Sequence, residues 1–317
     1  MISNSSVEHF VTLFDSKFLP MGMCLHTSLM KHAQPFHLWI LCMDELVERQ
    51  LSHLALLNVS LISLPEVETA ALLRVKDGRT RGEYCWTLTP FAPQFVFDRD
   101  QDAKRVTYLD SDIFFFDSPT ILLDEFEESG KHVLITEHAY ASEYDQTIYS
   151  GRFCVQFITF RRTIEGLKVM QWWQERCLEW CYARVEDGKF GDQRYLDDWP
   201  KRFTNEVHVL RQIEKTLAPW NLSRFCTTSK KADNPAFYHF HGLRIVRSDR
   251  VVLFSDYKIR WLCTSIYERY VDVLRKSIVE MRTRKMLIPT IPPKIESFQF
   301  LRTLKRQMRG TTRSVSI

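Results

Sequence analysis

Two aspartates one residue apart, Asp110 and Asp112, close the apolar run Arg105-Val-Thr-Tyr-Leu-Asp-Ser-Asp-Ile-Phe-Phe-Phe116. An extended backbone points residues i and i+2 to the same side. The two carboxylates can then share one hard divalent cation, Mg2+ or Mn2+, whose other positions go to phosphate oxygens and water. The competing reading is a polar strand end with two solvated carboxylates. Three further stretches bear on the choice. In His239-Phe-His241-Gly242, alternation puts both imidazoles on one strand face, and imidazole suits Mn2+ better than Mg2+. The same pair can also be edge-strand histidines that only hydrogen-bond. Gly191-Asp-Gln-Arg-Tyr-Leu-Asp-Asp198 either brings Asp192 and Gln193 to a site or is an acidic helix start favoured by the dipole. Leu217-Ala-Pro-Trp-Asn-Leu222 offers an indole, Trp220, that can pack a sugar face or anchor the core.

The elements that must position these residues follow from periodicity. His9–Asp15 predicts a first buried strand, Lys17–His32 a helix with Pro20 in its first turn, and Phe36–Cys42 a second strand. A helix from Asp44 to Leu57, capped by Asp44, and a strand from Val59 to Leu64 complete β-α-β-α-β, the spacing of a parallel α/β sheet. Further helices are expected over Glu83–Phe97, Ile164–Asp187, Trp261–Met286 and Phe298–Met308. Further strands are expected over Val133–Glu137, Arg152–Phe160 and Phe237–His241. Pro289, Pro292 and Pro293 break the third of these helices. In open α/β sheets ligands bind outside the carboxyl ends of the strands. The Asp15–Phe18 loop and the Asp-x-Asp turn both lie there.

Composition narrows the class. The 317 residues are 45% hydrophobic and 26% charged, with 22 Phe, 11 Tyr and 8 Trp, as befits a folded enzyme of one large or two small domains. With 10 Gly and no Gly-rich loop, a P-loop or dinucleotide fingerprint is not expected. No apolar run reaches the roughly 18 residues of a membrane span, and the N-terminus lacks the form of a signal peptide. The eight cysteines are scattered; with no export signal, this points to a reducing cytoplasm. From Arg282 onward nine basic residues face one acid, Glu296, so the tail carries +8 and the body −4 of the net +4. Phe298, Leu301, Leu304 and Met308 fall at helical spacing among these cations. A basic amphipathic helix of that kind can lie on anionic lipid at the inner face of a membrane, or remain solvated. Charge confined to the tail argues against nucleic-acid binding.

The order of these motifs resembles that of GT-A-fold glycosyltransferases, in particular the retaining group that includes glycogenin and bacterial lipopolysaccharide galactosyltransferases. The shared series is Val11-Thr-Leu-Phe-Asp15, Tyr108-Leu-Asp-x-Asp112, Gly191-Asp-Gln-x-x-Leu196 and His239-Phe-x-Gly242, spanning about residues 9 to 245. The resemblance implies a three-layer α/β/α catalytic domain over 1–260 with a mostly parallel sheet, and a basic helical extension over 261–317. It implies a metal-dependent transfer, with Mn2+ or Mg2+, from a nucleotide-diphosphate sugar such as a UDP-sugar to a glycan or glycolipid of the cell envelope. By position, Thr12, Phe14 and Asp15 would line the base and ribose pocket, and Asp110, Asp112 and His239 would hold the metal. His241 would face the phosphates or act as an alternative ligand. Ser111, Gln156 and Gly242 would complete the donor contacts, with Lys17 and Arg244 adding positive charge. Asp192 and Gln193 would lie by the anomeric carbon. Gln193 is a poor nucleophile, which favours front-face substitution over a covalent intermediate. Asp197, Asp198 or Trp220 would then meet the acceptor.

The chain also departs from that pattern. Trp86 stands where Tyr-x-Arg would place an arginine, Cys154-Val-Gln156 replaces Asn-x-Gly, and Leu243-Arg-Ile245 replaces Lys-Pro-Trp. Two rival readings follow. Asp-x-Asp with Gly191, Asp192 and Asp197 also fits the spacing of a haloacid-dehalogenase-type Mg2+ phosphatase, although Phe114 stands where that family has a small residue. The departures also allow a nucleotide-binding relative without transferase activity.

Overall fold

Apolar residues on both faces of consecutive strands force helices onto both sides of a sheet, because neither face can be left to water. The computed structural model describes residues 7–226, 235–259, 264–291 and 312–317. Its main sheet contains β1 (Glu8–Phe14), β2 (Phe36–Cys42), β3 (Val59–Ser63), β4 (Arg105–Leu109), β6 (Val133–Glu137), β7 (Phe153–Arg161) and β8 (Val207–Val209), in the order β3-β2-β1-β4-β7-β6-β8. All neighbours run parallel except β7, which is antiparallel to β4 and β6. On β1, Phe10 and Phe14 enter the core on one side, and Val11 and Leu13 enter that on the other. Phe14 fits because Gly22 lies beneath it: a Cβ on Gly22 would stand 2.5 Å from the Phe14 ring.

Two smaller sheets flank this one. β5 (Ile113–Phe115), which follows the Asp-x-Asp turn directly, pairs with β10 (Phe237–His239), and β10 pairs with β9 (Thr216–Leu217). The hairpin β11 (Arg244–Arg247) and β12 (Arg250–Ser255) is completed by β13 (Thr312–Ser316). Sequence periodicity signals neither the hairpin nor the closing strand, because each is short and stabilised by cross-strand pairing.

The first two helices form near their expected places. One spans Leu19–His32, and the other, Glu45–Leu54, is capped by Asp44 through Val47 N at 2.7 Å. The helix expected over 83–97 instead starts at Arg81 on a Thr80–Glu83 capping box. Pro90 and Pro93 cut it into Arg81–Leu88, a 3-10 turn Thr89–Phe91, and Ala92–Arg99. The helix from Ile164 stops at Glu179, short of the expected Asp187. Trp180 turns extended there, and a left-handed pair, Asp187 and Gly188, closes the Glu186–Lys189 turn. Cys177 and Cys181 are both buried in the core, as packing residues.

Thr264–Thr283 is a helix that packs on Leu19–His32, with Cys24 Sγ 3.8 Å from Ser277 Oγ. The helix expected at Phe298–Met308 lies outside the described residues. Among the described residues no helix is long and apolar enough to cross a membrane. Cys226 is disulfide-bonded, a bond its scattered spacing does not signal.

Candidate active site

Asp110 and Asp112 do not sit on an extended strand. Asp110 N donates to the Gln156 carbonyl at 3.1 Å, and Ile113 N donates back to the Asp110 carbonyl at 3.2 Å. The pair therefore occupies a tight turn between β4 and β5, and the turn rather than strand alternation makes the carboxylates converge. His239 arrives from β10, in register with Ile113. Its Nε2 lies 3.0 Å from Asp112 Oδ1 and 3.8 Å from Asp110 Oδ2. One ligand atom from each of the three residues falls within 4.8 Å of the others, the sole such cluster among the described residues.

The imidazole is held for this role. Its Nδ1 meets Gln156 Oε1 at 2.9 Å, which accepts that ring N–H; against the cost of burial, Asp112 and Asp110 hold the imidazole well above its ordinary pKa, so Nε2 carries a proton towards Asp112 whose place a bound cation would take. Two carboxylate oxygens and one imidazole nitrogen suit a borderline divalent cation such as Mn2+. Tyr108 donates its hydroxyl to Asp110 Oδ1 at 3.0 Å. Burial, reinforced by the Asp112 charge, pushes Asp110 up to about 6 against the pull of His239. Burial also opposes ionisation of Asp112, but the adjacent His239 overcomes it and holds the carboxyl below the ordinary range.

The cluster opens into a cavity of about 670 Å³ at the carboxyl ends of the strands. Of the residues expected in the site, Phe14, Asp15, Lys17, Ser111, Asp192, Gln193, His241 and Arg244 also line this cavity. Thr12, Gln156 and Gly242 do not. Thr12 is fully buried on β1, beneath the wall. Gln156 sits behind His239, where its Oε1 meets the ring Nδ1. His241 lines the cavity but contributes no atom to the convergent cluster.

Asp192 faces the same space. It is 3% exposed, its Oδ2 has no hydrogen-bond partner, and Trp173 Nε1 fixes its carbonyl at 2.9 Å. Burial first, and the Asp110 charge second, push this carboxyl up to about 7. Gln193 spends its amide on the Ser150 carbonyl at 2.9 Å. Asp197 and Asp198, expected to meet an acceptor, do not line this cavity. Asp197 accepts from Arg152 N at 2.8 Å and pairs with Arg194 at 2.7 Å, and Asp198 pairs with Arg202. Trp220 lines the cavity and meets His239 and His241 edge-on, at 5.3 and 5.4 Å between ring centroids.

Several cavity residues escape sequence reasoning. Arg81 joins the loops after β1 and β2, 3.6 Å from Asp15 and 3.2 Å from Asp44. Nothing local in the sequence signals that link. His138 follows the last residue of β6, so the rule that ligands gather at strand ends points to it. Trp86, in the position of the absent arginine, forms an aromatic wall against Gly191, whose Cβ would lie 3.3 Å from the indole. At Leu243-Arg-Ile245 the chain enters the β11–β12 hairpin.

No protein-family model matches the chain. The uncharacterized protein YfnD of Bacillus subtilis (strain 168) is 31% identical over 292 residues, covering 88% of this chain and 92% of its own. The chain belongs to the YfnD family. YfnF of the same strain is a second relative, 30% identical over 287 residues, covering 86% and 94%. Solved structures share the fold at lower identity. Mouse xyloside xylosyltransferase 1 in its apo form superposes with a TM-score of 0.51 at 14% identity, over 74% of this chain and 98% of that one. The galactosyltransferase LgtC, in complex with donor and acceptor sugar analogs, gives 0.50 at 15%, over 84% and 95%. This chain therefore has the GT-A fold that the motif order implied.

Proposed function

We propose that this YfnD-family chain is a metal-dependent glycosyltransferase that uses a nucleotide-diphosphate sugar, in first place a UDP-sugar, with a glycan or glycolipid as acceptor. One observation carries the reading: Asp110, Asp112 and a pre-oriented His239 converge on the floor of a cavity large enough for a sugar nucleotide. When bound, Mn2+ or Mg2+ would neutralise charge on the leaving diphosphate. The chain's own residues supply the rest. Phe14 and Asp15 border the nucleotide end of the cavity, and Lys17, Arg81 and Arg244 place positive charge there. The unpartnered Asp192 oxygen supports a cationic anomeric centre, as carboxylates do in glycoside hydrolysis. Gln193 donates an amide N–H to the Ser150 carbonyl, which fixes its side chain, and as a neutral amide it is a poor nucleophile, so front-face substitution with retention is easier to defend than a covalent intermediate.

The phosphatase alternative loses its basis, because Asp197 is tied to Arg152 and Arg194 and takes no part in the metal cluster. The basic run from Arg282 supports contact with an anionic membrane surface. The test of function is release of nucleoside diphosphate from a panel of UDP- and GDP-sugars with Mn2+ or Mg2+. Hydrolysis that requires metal and disappears in Asp112→Ala supports the reading. Absence of both hydrolysis and metal-linked nucleotide binding overturns it.

A further inference from the structure

The helix Arg81–Leu88 and the 3-10 turn after it run along one wall of the cavity, which Arg81, Gly82, Cys85, Trp86 and Thr89 all line. At the helical rise this face covers about 12 Å from Arg81 to Thr89. Arg81 stands at one end, 3.6 Å from Asp15. Thr89 stands at the other, where its hydroxyl reaches the Asp192 carboxyl, on whose charge Asp110 also acts. A diphosphate held at the Asp110–Asp112–His239 cluster, with its nucleoside towards Asp15, therefore extends its sugar towards Asp192 and Trp86.

Trp86 is partly exposed, and its ring is fixed in place. A Cβ on Gly191 would stand 3.3 Å from the indole, and the Phe190 ring lies 6.1 Å away between centroids. Its indole N–H has no partner among the described residues, and it remains accessible, unlike the buried Trp199 N–H. The other indoles at the site are already engaged. Trp173 Nε1 donates to the Asp192 carbonyl and Trp220 Nε1 to the His138 carbonyl, each at 2.9 Å. An indole nitrogen only donates, so what a ligand must bring to Trp86 is an oxygen acceptor.

Resting on the nucleotide-sugar reading, we infer that Trp86 selects the donor sugar, donating its N–H to one hydroxyl of a sugar that carries no charge. A uronate carboxylate in that position would face Asp110 and Asp192 without a free counter-ion. The cation on the same helix, Arg81, is committed to Asp15, to Asp44 at 3.2 Å and to the Met43 carbonyl at 3.3 Å. Of the other two lysines and arginines that line the cavity, Lys17 adjoins Asp15 and Arg244 lies over Phe18, with 5.4 Å from its guanidinium to the ring centre.

Isothermal titration of the full chain with Mn2+ tests this, with UDP, UDP-glucose, UDP-galactose and UDP-glucuronate as probes. At least one of the two neutral UDP-hexoses should bind, and UDP-glucuronate about tenfold more weakly. Trp86→Phe keeps an aromatic ring against Gly191 and removes the N–H. It should weaken the neutral UDP-hexose about fivefold and leave UDP within about twofold of wild type, so that UDP also reports a folded site. The assignment is overturned if Trp86→Phe weakens UDP as much as the hexose, or weakens neither. It is also overturned if UDP-glucuronate binds as tightly as the neutral pair, or if UDP binds and neither hexose does. Absence of UDP binding to the wild type overturns the nucleotide-sugar reading itself.

Discussion

Replacing Gln156 by leucine should weaken metal binding while leaving the fold nearly as stable. The Gln156 side chain is fully buried and its Oε1 meets His239 Nδ1 at 2.9 Å, while its own Nε2 has no partner. The Gln156→Leu substitution removes that orphaned Nε2 but strands the His239 Nδ1–H. One unsatisfied group of about 1–3 kcal/mol replaces another, so the net change in stability is about 1 kcal/mol or less. The metal responds differently. Without the amide oxygen the ring can turn, and nothing fixes the remaining proton on Nδ1 when a cation takes the place of the one on Nε2. Supporting groups of this kind are worth about 10–100-fold in metal affinity, or about 1.4–2.8 kcal/mol. Mn2+ titration by electron paramagnetic resonance, beside a urea midpoint for each protein, reads both quantities. A folded Q156L with a Kd within twofold of wild type would refute the argument that Gln156 orients the ligand.

Three further outcomes are expected. Asp192 has a folded pKa of about 7 against an ordinary 3.8. Its burial therefore costs nothing below about pH 4, costs more as pH rises towards 7, and levels off above that. Asp192→Asn should raise the metal-free protein's stability at pH 8 by at most about 4 kcal/mol, with no gain at pH 4, as read from thermal melts at the two pH values. Glu125 is buried and accepts from Arg211 N at 2.7 Å, Gln212 N at 3.3 Å and His208 Nε2 at 2.7 Å. Glu125→Ala strands these donors and should cost about 2–4 kcal/mol in urea unfolding, where a loss under about 0.5 kcal/mol would count against the network. Gly151 sits at φ +92°, and a Cβ there would meet Asp197 Oδ1 at 2.9 Å. Gly151→Ala should lower stability by about 1–3 kcal/mol and release Arg152 N from Asp197, visible as faster amide exchange at residues 152 and 153.

Sequence alone determined the local half of this protein. β1, β2 and β3 and the helices between them are legible because each is a contiguous apolar pattern closed by its own signals, such as Asp44 capping through Val47. The residues of the Asp110–Asp112–His239 cluster are legible for the same reason: two carboxylates lie two residues apart, and a histidine follows in a strand-like run. Periodicity misplaces helix ends where a single proline or a left-handed residue outweighs it, at Pro90, Pro93 and Asp187.

What tertiary structure decided is which distant residues meet. The antiparallel insertion of β7 between β4 and β6 puts Gln156 behind His239, 83 positions away. The same layout lets Arg81 bridge Asp15 and Asp44, and sets His138 beside Tyr140 and Trp220. Strand periodicity records which face of a strand is buried, and is silent on which strand lies next to it. Neighbour choice comes from packing the whole sheet at once. Gln156 therefore reads as one more buried strand residue until β10 is laid against β5 and its histidine needs an acceptor.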